Sequence, residues 1–151
     1  MEITVREIIE YARNIESESF AFYTAAQEVL TDSAARETAR ELAEEEKLHF
    51  ARLGRLLDRQ PSPGGNLDVR FPAEVDLSRR VVPTMEITAE SSPREILGVA
   101  LQREERTRDQ YRTFISFSNV DAEVVSLFED LVDQEEGHAR RIRSLLERLD
   151  D

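Results

Sequence analysis

The apolar and polar positions of the chain fall into four long stretches with helical spacing. In residues 122–149, Val124, Phe128, Leu131, Glu135, His138, Ile142, Leu145 and Leu149 are spaced alternately by four and three. That is the buried stripe of a helix packed in a bundle. Residues 34–57 repeat it with Ala39, Leu42, Glu46, His49, Leu53 and Leu56. In residues 5–30, Ile9, Ala12, Glu16, Ser19 and Tyr23 share one face. In residues 93–118, Leu97, Leu101, Glu104, Arg108 and Tyr111 do so, with Ala100 and Thr107 beside them. Each stripe carries polar side chains near its middle.

The ends of these stretches carry helix signals. Thr4 with Glu7, and Ser92 with Glu95, have capping-box spacing, and Pro93 suits a first helical position. Thr31, Asp32 and Ser33 predict a short turn and cap, as do Asn119 to Asp121. Short turns make the first two helices antiparallel, and likewise the last two. Pro61, Pro63, Pro72, Pro83 and Pro93 are the only prolines, so residues 58–92 read as a connection. It is long enough to cross the bundle. The predicted fold is all-α: one domain over residues 1–151, a four-helix bundle of two antiparallel hairpins joined by a long crossover, with the second and third helices parallel. Leu67, Val69 and Phe71 alternate with polar residues and predict an extended segment against the bundle, as a short strand or irregular arm.

The two halves repeat. Glu16 and Glu104 are 88 positions apart, as are Tyr23 and Tyr111. Glu46 and Glu135 are 89 apart, as are His49 and His138. Four carboxylates converging in a core would repel one another and lose their hydration. Two divalent cations neutralise them, and so do two ferric ions with one bridging oxide. Carboxylate and imidazole together suit iron or manganese, and zinc accepts them too. Glu fills 22 of 151 positions, so both histidines would carry a Glu three residues earlier by chance about 2% of the time. A metal-free bundle with paired core histidines is the competing reading.

Charge and composition narrow the partners. The chain holds 32 acidic and 20 basic residues, for a formal charge of -12, which disfavours nucleic acid and anionic membranes. It has no cysteine, which removes disulfides, iron–sulfur clusters and thiol chemistry from this chain. No stretch is apolar enough to span a membrane, and the first residues lack a secretory h-region, so a cytoplasmic protein is expected.

Glu16 with Tyr23, Glu46-Lys47-Leu48-His49, Glu104 with Tyr111, and Glu135-Glu136-Gly137-His138 resemble the ferritin-like di-iron superfamily, and most closely its rubrerythrin-type domain. The resemblance covers all four helices but not residues 58–92. It implies a ferritin-like bundle holding two iron ions per chain, with manganese or zinc as alternatives. Glu46 and Glu135 would bridge the metals. Glu16 and His49 would hold one, and Glu104 and His138 the other. Tyr23 and Tyr111 would hydrogen-bond ligand carboxylates.

The chain also departs from its relatives. Peroxide-reducing rubrerythrins have a further Glu one turn after the third-helix ligand, where this chain has Thr107. Their rubredoxin domain needs cysteines, so electrons would come from a separate donor protein. Haem-binding bacterioferritins carry Met where Lys47 stands, so no haem is expected. No fifth helix follows the fourth, so a homodimer is expected over a storage cage.

The resulting expectation is a redox protein reacting with peroxide or dioxygen, as a peroxidase or ferroxidase. A manganese catalase-like enzyme, or a non-catalytic zinc- or iron-binding interaction module, is the alternative. Smaller features have plainer expectations. Gly137 reads as a close-packing position, with a channel for dioxygen or peroxide as the alternative. Glu44 and Glu45 read as solvated. Phe20, Phe22, Phe114, Phe117 and Phe128 read as core or dimer packing. Arg140, Arg141 and Arg143 read as complements of the helix dipole.

Overall fold

A computed structural model describes residues 2–59, 67–74, 76–79, 81–117 and 121–149. In chain order the elements are β1 (Glu2–Thr4), α1 (Val5–Val29), α2 (Ser33–Asp58), β2 (Arg70–Pro72), α3 (Pro93–Phe117) and α4 (Ala122–Leu149). The expected helix ends hold to within a residue or so. Pro61, Pro63, Ser118 and Asn119 lie outside the described residues.

The starts form as the local chemistry requires. The Thr4 hydroxyl accepts from the Glu7 N–H at 3.1 Å, and Asp32 accepts from Ala35 N–H at 2.9 Å. Asp121 accepts from Val124 N–H at 3.2 Å. Ser92 and Glu95 form the full reciprocal box, at 3.1 and 3.3 Å. At Thr4 the box is half made: Glu7 meets the Thr4 hydroxyl at 3.4 Å rather than its backbone. The reason is that Thr4 belongs to β1.

Cross-helix contacts set the directions. Tyr23 reaches Glu104 and Tyr111 reaches Glu16, so α1 and α3 are antiparallel. Arg52 meets Asp130 and Glu41 meets Arg141, so α2 and α4 are antiparallel too. With α1 and α2 a hairpin, α2 and α3 run parallel, as the long crossover demands. The 89-residue repeat also reappears at the ends of α2 and α4. Arg59, the C-cap of α2, pairs with Asp121 before α4, and Arg148 pairs with Asp32 before α2. Each cation sits at a helix C-terminus and each anion at an N-terminus, where the helix dipoles favour them.

The crossover is partly a strand. β2 pairs antiparallel with β1, Ile3 opposite Phe71. The sequence pattern missed β1, because a three-residue strand leaves no period to read. Within the expected extended segment Leu67 is buried and Phe71 packs on the core, but Val69 is 49% exposed. The pairing carries Leu67 under the bundle, where its carbonyl accepts from Arg6 N–H at 3.0 Å. Arg6 also forks onto Asp68 at 2.7 and 3.2 Å.

The inner face of α3 is rotated from the expected one. Leu101 and Arg108 are only partly buried, while Ile96, Leu97, Ala100, Arg103, Glu104, Thr107, Tyr111 and Phe114 point inward. Arg103 is 1% exposed. Its guanidinium donates to the Pro83 carbonyl at 2.5 Å and the Ser19 hydroxyl at 2.8 Å, and it lies 5.3 Å from the centre of the Phe22 ring. A buried cation thus clasps the crossover to α1 and α3, and hydrogen bonds offset part of its desolvation.

The apolar core is divided. One cluster gathers Ile9, Ala12, Leu53, Phe114, Phe128 and Leu131. The other gathers Phe22, Ala26, Leu42, Leu97, Ala100 and Ile142. The polar middles of the four helices lie between them. Among the described residues no helix is long and apolar enough to cross a membrane.

Candidate metal centre

The polar layer takes one residue each from α1 and α3 and two each from α2 and α4. Glu16 comes from α1, Glu46 and His49 from α2, Glu104 from α3, and Glu135 and His138 from α4. Helical spacing places each Glu-x-x-His pair on one face, one turn apart. All six side chains are buried, none more than 4% exposed. The structure brings every one of the six expected residues together.

They form two overlapping groups of four. Glu16, Glu46, His49 and Glu135 offer atoms within 4.8 Å of one another, and so do Glu46, Glu104, Glu135 and His138. Glu46 and Glu135 belong to both groups. The two imidazoles stack, with ring centres 5.8 Å apart and planes 12° apart. Both turn Nδ1 inward. His49 Nδ1 lies 3.2 Å from Glu135 and 3.4 Å from Glu16. His138 Nδ1 lies 3.1 Å from Glu46 and 3.4 Å from Glu104.

Each half of the site is braced by the other hairpin. The Tyr23 hydroxyl donates to Glu104 Oε1 at 2.5 Å, and the Tyr111 hydroxyl donates to Glu16 Oε1 at 2.6 Å. Each tyrosine thereby engages one oxygen of a carboxylate and leaves the other facing the centre. The outer nitrogens of the histidines are also held. His49 Nε2 lies 2.5 Å from Gln134 Oε1, and His138 Nε2 lies 2.9 Å from Glu45 Oε2.

Glu45 and Gln134 were not singled out from the sequence; Glu45 was expected to be solvated. Its signal was positional: each residue precedes a shared Glu by one, and the pair keeps the 89-residue spacing. That flank of one helix faces the histidine of the other. Glu44, by contrast, is exposed as expected.

Electrostatics separate the carboxylates into two kinds. Burial pushes Glu46 and Glu135 well above the ordinary carboxylate range, and neighbouring charges on Glu104 and Glu16 add to it. Burial acts on Glu104 as well, but the neighbouring Glu135 and His138 and the Tyr23 hydrogen bond outweigh it and hold this carboxyl at about 2. Glu16 is also held low, by Glu46, His49 and Tyr111 against the cost of burial. Burial lowers the histidines, yet Glu16 lifts His49 overall, and Glu104, Glu45 and Glu46 lift His138 to about 12. Burial and the adjoining carboxylates raise both tyrosines well above 10, so they act as neutral donors. The terminal carboxyls are thus lowered and the shared pair raised, by their different neighbours.

The donor set has room in its bonding for cations. Glu16 Oε2, Glu46 Oε1, Glu104 Oε2, Glu135 Oε1 and both Nδ1 atoms are buried without a hydrogen-bond partner. Buried polar atoms are normally satisfied, and these six, facing one another, could be satisfied by metal ions. Four carboxylates and two imidazoles match hard-to-borderline divalent metals.

Thr107, expected beside the inner stripe of α3, is buried there. A Cβ on Gly137 would meet only the Arg140 guanidinium at 4.0 Å, so close packing does not explain this glycine. Arg141 pairs with Glu41 and Glu45, and Arg143 with Glu105 and Glu136, so these arginines join helices rather than simply complement a dipole. Phe22, Phe114 and Phe128 are core, Phe117 is partly buried, and Phe20 is 36% exposed.

No family model matches the sequence, and no curated protein matches it. Among solved structures, a protein from Thermotoga maritima with the provisional description ferritin-like diiron-carboxylate protein is similar in fold. The TM-score is 0.76, over 97% of this chain and 97% of that one, at 18% identity. The architecture of the present chain is therefore the ferritin-like four-helix bundle.

Proposed function

We propose that this chain is a dinuclear-metal redox protein, with iron as its metal and peroxide or dioxygen as its oxidant. The observation that carries the reading is the set of six orphaned, inward-facing buried donor atoms. Glu16 and His49 would hold one ion, Glu104 and His138 the other, and Glu46 and Glu135 both. Two iron ions bound there would supply redox capacity and Lewis acidity toward an oxygen species.

The protein's own residues do the rest. Tyr23 and Tyr111 fix the carboxylates of Glu104 and Glu16. Glu45 and Gln134 fix the rings of His138 and His49. Such outer partners set the orientation and basicity of ligands. The divided apolar core excludes bulk water on both sides of the layer, which strengthens every electrostatic interaction inside it. Electrons for a return to the reduced state would come from a separate donor protein, since this chain has no cysteine and hence no iron–sulfur centre of its own. Rubrerythrin-like peroxide reduction is the preferred reaction, with ferroxidase activity as its close variant, and a homodimer is the preferred assembly.

The test begins with metal-free protein titrated anaerobically with Fe(II). Saturation at two ions per chain is expected, followed on oxidation by the near-ultraviolet absorbance of an oxo-bridged ferric pair. Oxidation should be much faster with peroxide than with air; equal or slower oxidation would sink the peroxide preference. Glu46→Ala, which removes a shared carboxylate, should abolish tight binding of both ions. Metal binding with no redox turnover would favour the non-catalytic reading.

A further inference from the structure

The two halves of the centre are near copies, and the copy fails at the partners of the two histidines. Three pairs of residues around the histidines keep the 89-residue spacing: Glu41 with Asp130, Glu45 with Gln134, and Arg52 with Arg141. Around His138, Glu45 Oε2 contacts Nε2 at 2.9 Å, and Arg141 pairs with Glu41 while standing 3.5 Å from Glu45. Around His49, Gln134 Oε1 contacts Nε2 at 2.5 Å, the Gln134 amide donates to Asp130 at 3.1 Å, and Arg52 pairs with Asp130 at 2.6 Å. The outer acid–base pairs balance on both sides. What remains is an anion on one histidine and a neutral amide on the other.

We propose that the two metal positions are unequal, and that Glu45 makes the position beside His138 the one that fills first. This rests on the metal-binding reading above. A carboxylate 2.9 Å from Nε2 places negative charge beside the ring, favours the Nε2–H form and strengthens Nδ1, the atom turned to the centre, as a ligand. The anion also attracts a dication more than the single proton the dication displaces. A glutamine oxygen holds the ring in the same orientation but adds no charge. The other contributors are matched: each half has one terminal Glu, one tyrosine on that Glu, and the same shared pair. Arg103 follows the hairpin of Glu104, but its guanidinium is turned away, to Pro83 and Ser19.

The experiment is a stepwise calorimetric titration of metal-free protein with Co(II) at fixed neutral pH. Two steps alone decide nothing, because two neighbouring cations repel and would separate even equal sites. The variants decide it. With unequal sites, Glu45→Gln weakens the first step about 10- to 100-fold, since both histidines then have amide partners. Gln134→Glu leaves the first step within about twofold and tightens the second, because only the weaker site gains an anion. With equal sites the pattern inverts: Glu45→Gln leaves the first step almost unchanged, since the ion takes the untouched site, and Gln134→Glu tightens it. That inverted pattern overturns the inference while sparing the metal reading. A wild type that binds fewer than two Co(II) ions overturns both. Both substitutions are isosteric, and Glu45 is partly exposed, so the folded variants are accessible.

Discussion

At the scale of single residues, the site is a balance between desolvation and pairing. Tyr23 and Tyr111 lie two turns from Glu16 and Glu104 in sequence, yet each serves the carboxylate of the opposite hairpin. Tyr23→Phe should keep the fold and weaken metal binding at the Glu104 position about tenfold, as loss of an outer partner does. Calorimetric titration of the variant would show it, and unchanged affinity would remove Tyr23 from the site. The protons are equally telling. Glu46 and Glu135 are raised well above the carboxylate range, and His49 and His138 are raised as well. Loading divalent ions should thus expel protons, since ligands must be deprotonated to bind. Titration in weak buffer with a pH electrode would count them, and affinity should rise with pH. No release would mean that the ions bind elsewhere.

At the scale of elements, two residues in α3 and α4 have distinct effects. Gly137 lies within the continuous α4 beside His138, with open space where a Cβ would stand except for the Arg140 guanidinium at 4.0 Å. Gly137→Ala should therefore stabilise the protein by about 1 kcal/mol through helix propensity alone. That corresponds to a rise in Tm of roughly 2–4 °C, and a fall on thermal unfolding would contradict the open space. Arg103 has the opposite role. Arg103→Ala leaves a cavity and strips the Pro83 carbonyl and Ser19 hydroxyl of their partner. A loss of about 3 kcal/mol is expected in urea unfolding, with faster proteolysis of residues 81–92. Legibility differed between the elements. The stripes of α1, α2 and α4 could be read directly, because their inward positions are dominated by apolar residues. In α3 the inward face includes Arg103, and a polarity pattern assigns such a residue to the outside.

For the whole molecule, metal-free and metal-loaded protein should respond to pH with opposite signs. Glu46 and Glu135 have folded values raised above the ordinary 4.5, and His138 is raised from 6.5 to about 12. The stability these groups add is complete below their unfolded values and is lost as pH rises toward the folded ones. Glu104, lowered from 4.5 to about 2, adds stability above 4.5 that is lost as pH falls toward 2. The metal-free protein should thus lose stability as pH rises above 4.5 and through the His138 window of 6.5 to about 12, and lose the Glu104 contribution as pH falls from 4.5 toward 2. With metal bound, proton release reverses the slope, because a ligand that binds only the folded state stabilises it more as its affinity rises. Paired melting curves with and without chelator would reveal the crossing, and parallel curves would refute the proton balance.

The sequence alone determined the four helices, the hairpin repeat, the crossover and the six residues at the centre. These are properties of period and position along the chain: helical spacing converts a linear interval into a shared face, and the cost of burying four carboxylates demands a common explanation. Tertiary structure alone decided which side chains complete that centre. Glu45 and Gln134 sit on helix flanks, where sequence periodicity reads solvent, and they become partners only because α2 and α4 bring those flanks against each other's histidines. The β1–β2 pairing and the Arg103 clasp are of the same kind. Each depends on contacts between segments dozens of residues apart, and such contacts are fixed by packing and charge in three dimensions, not by local pattern.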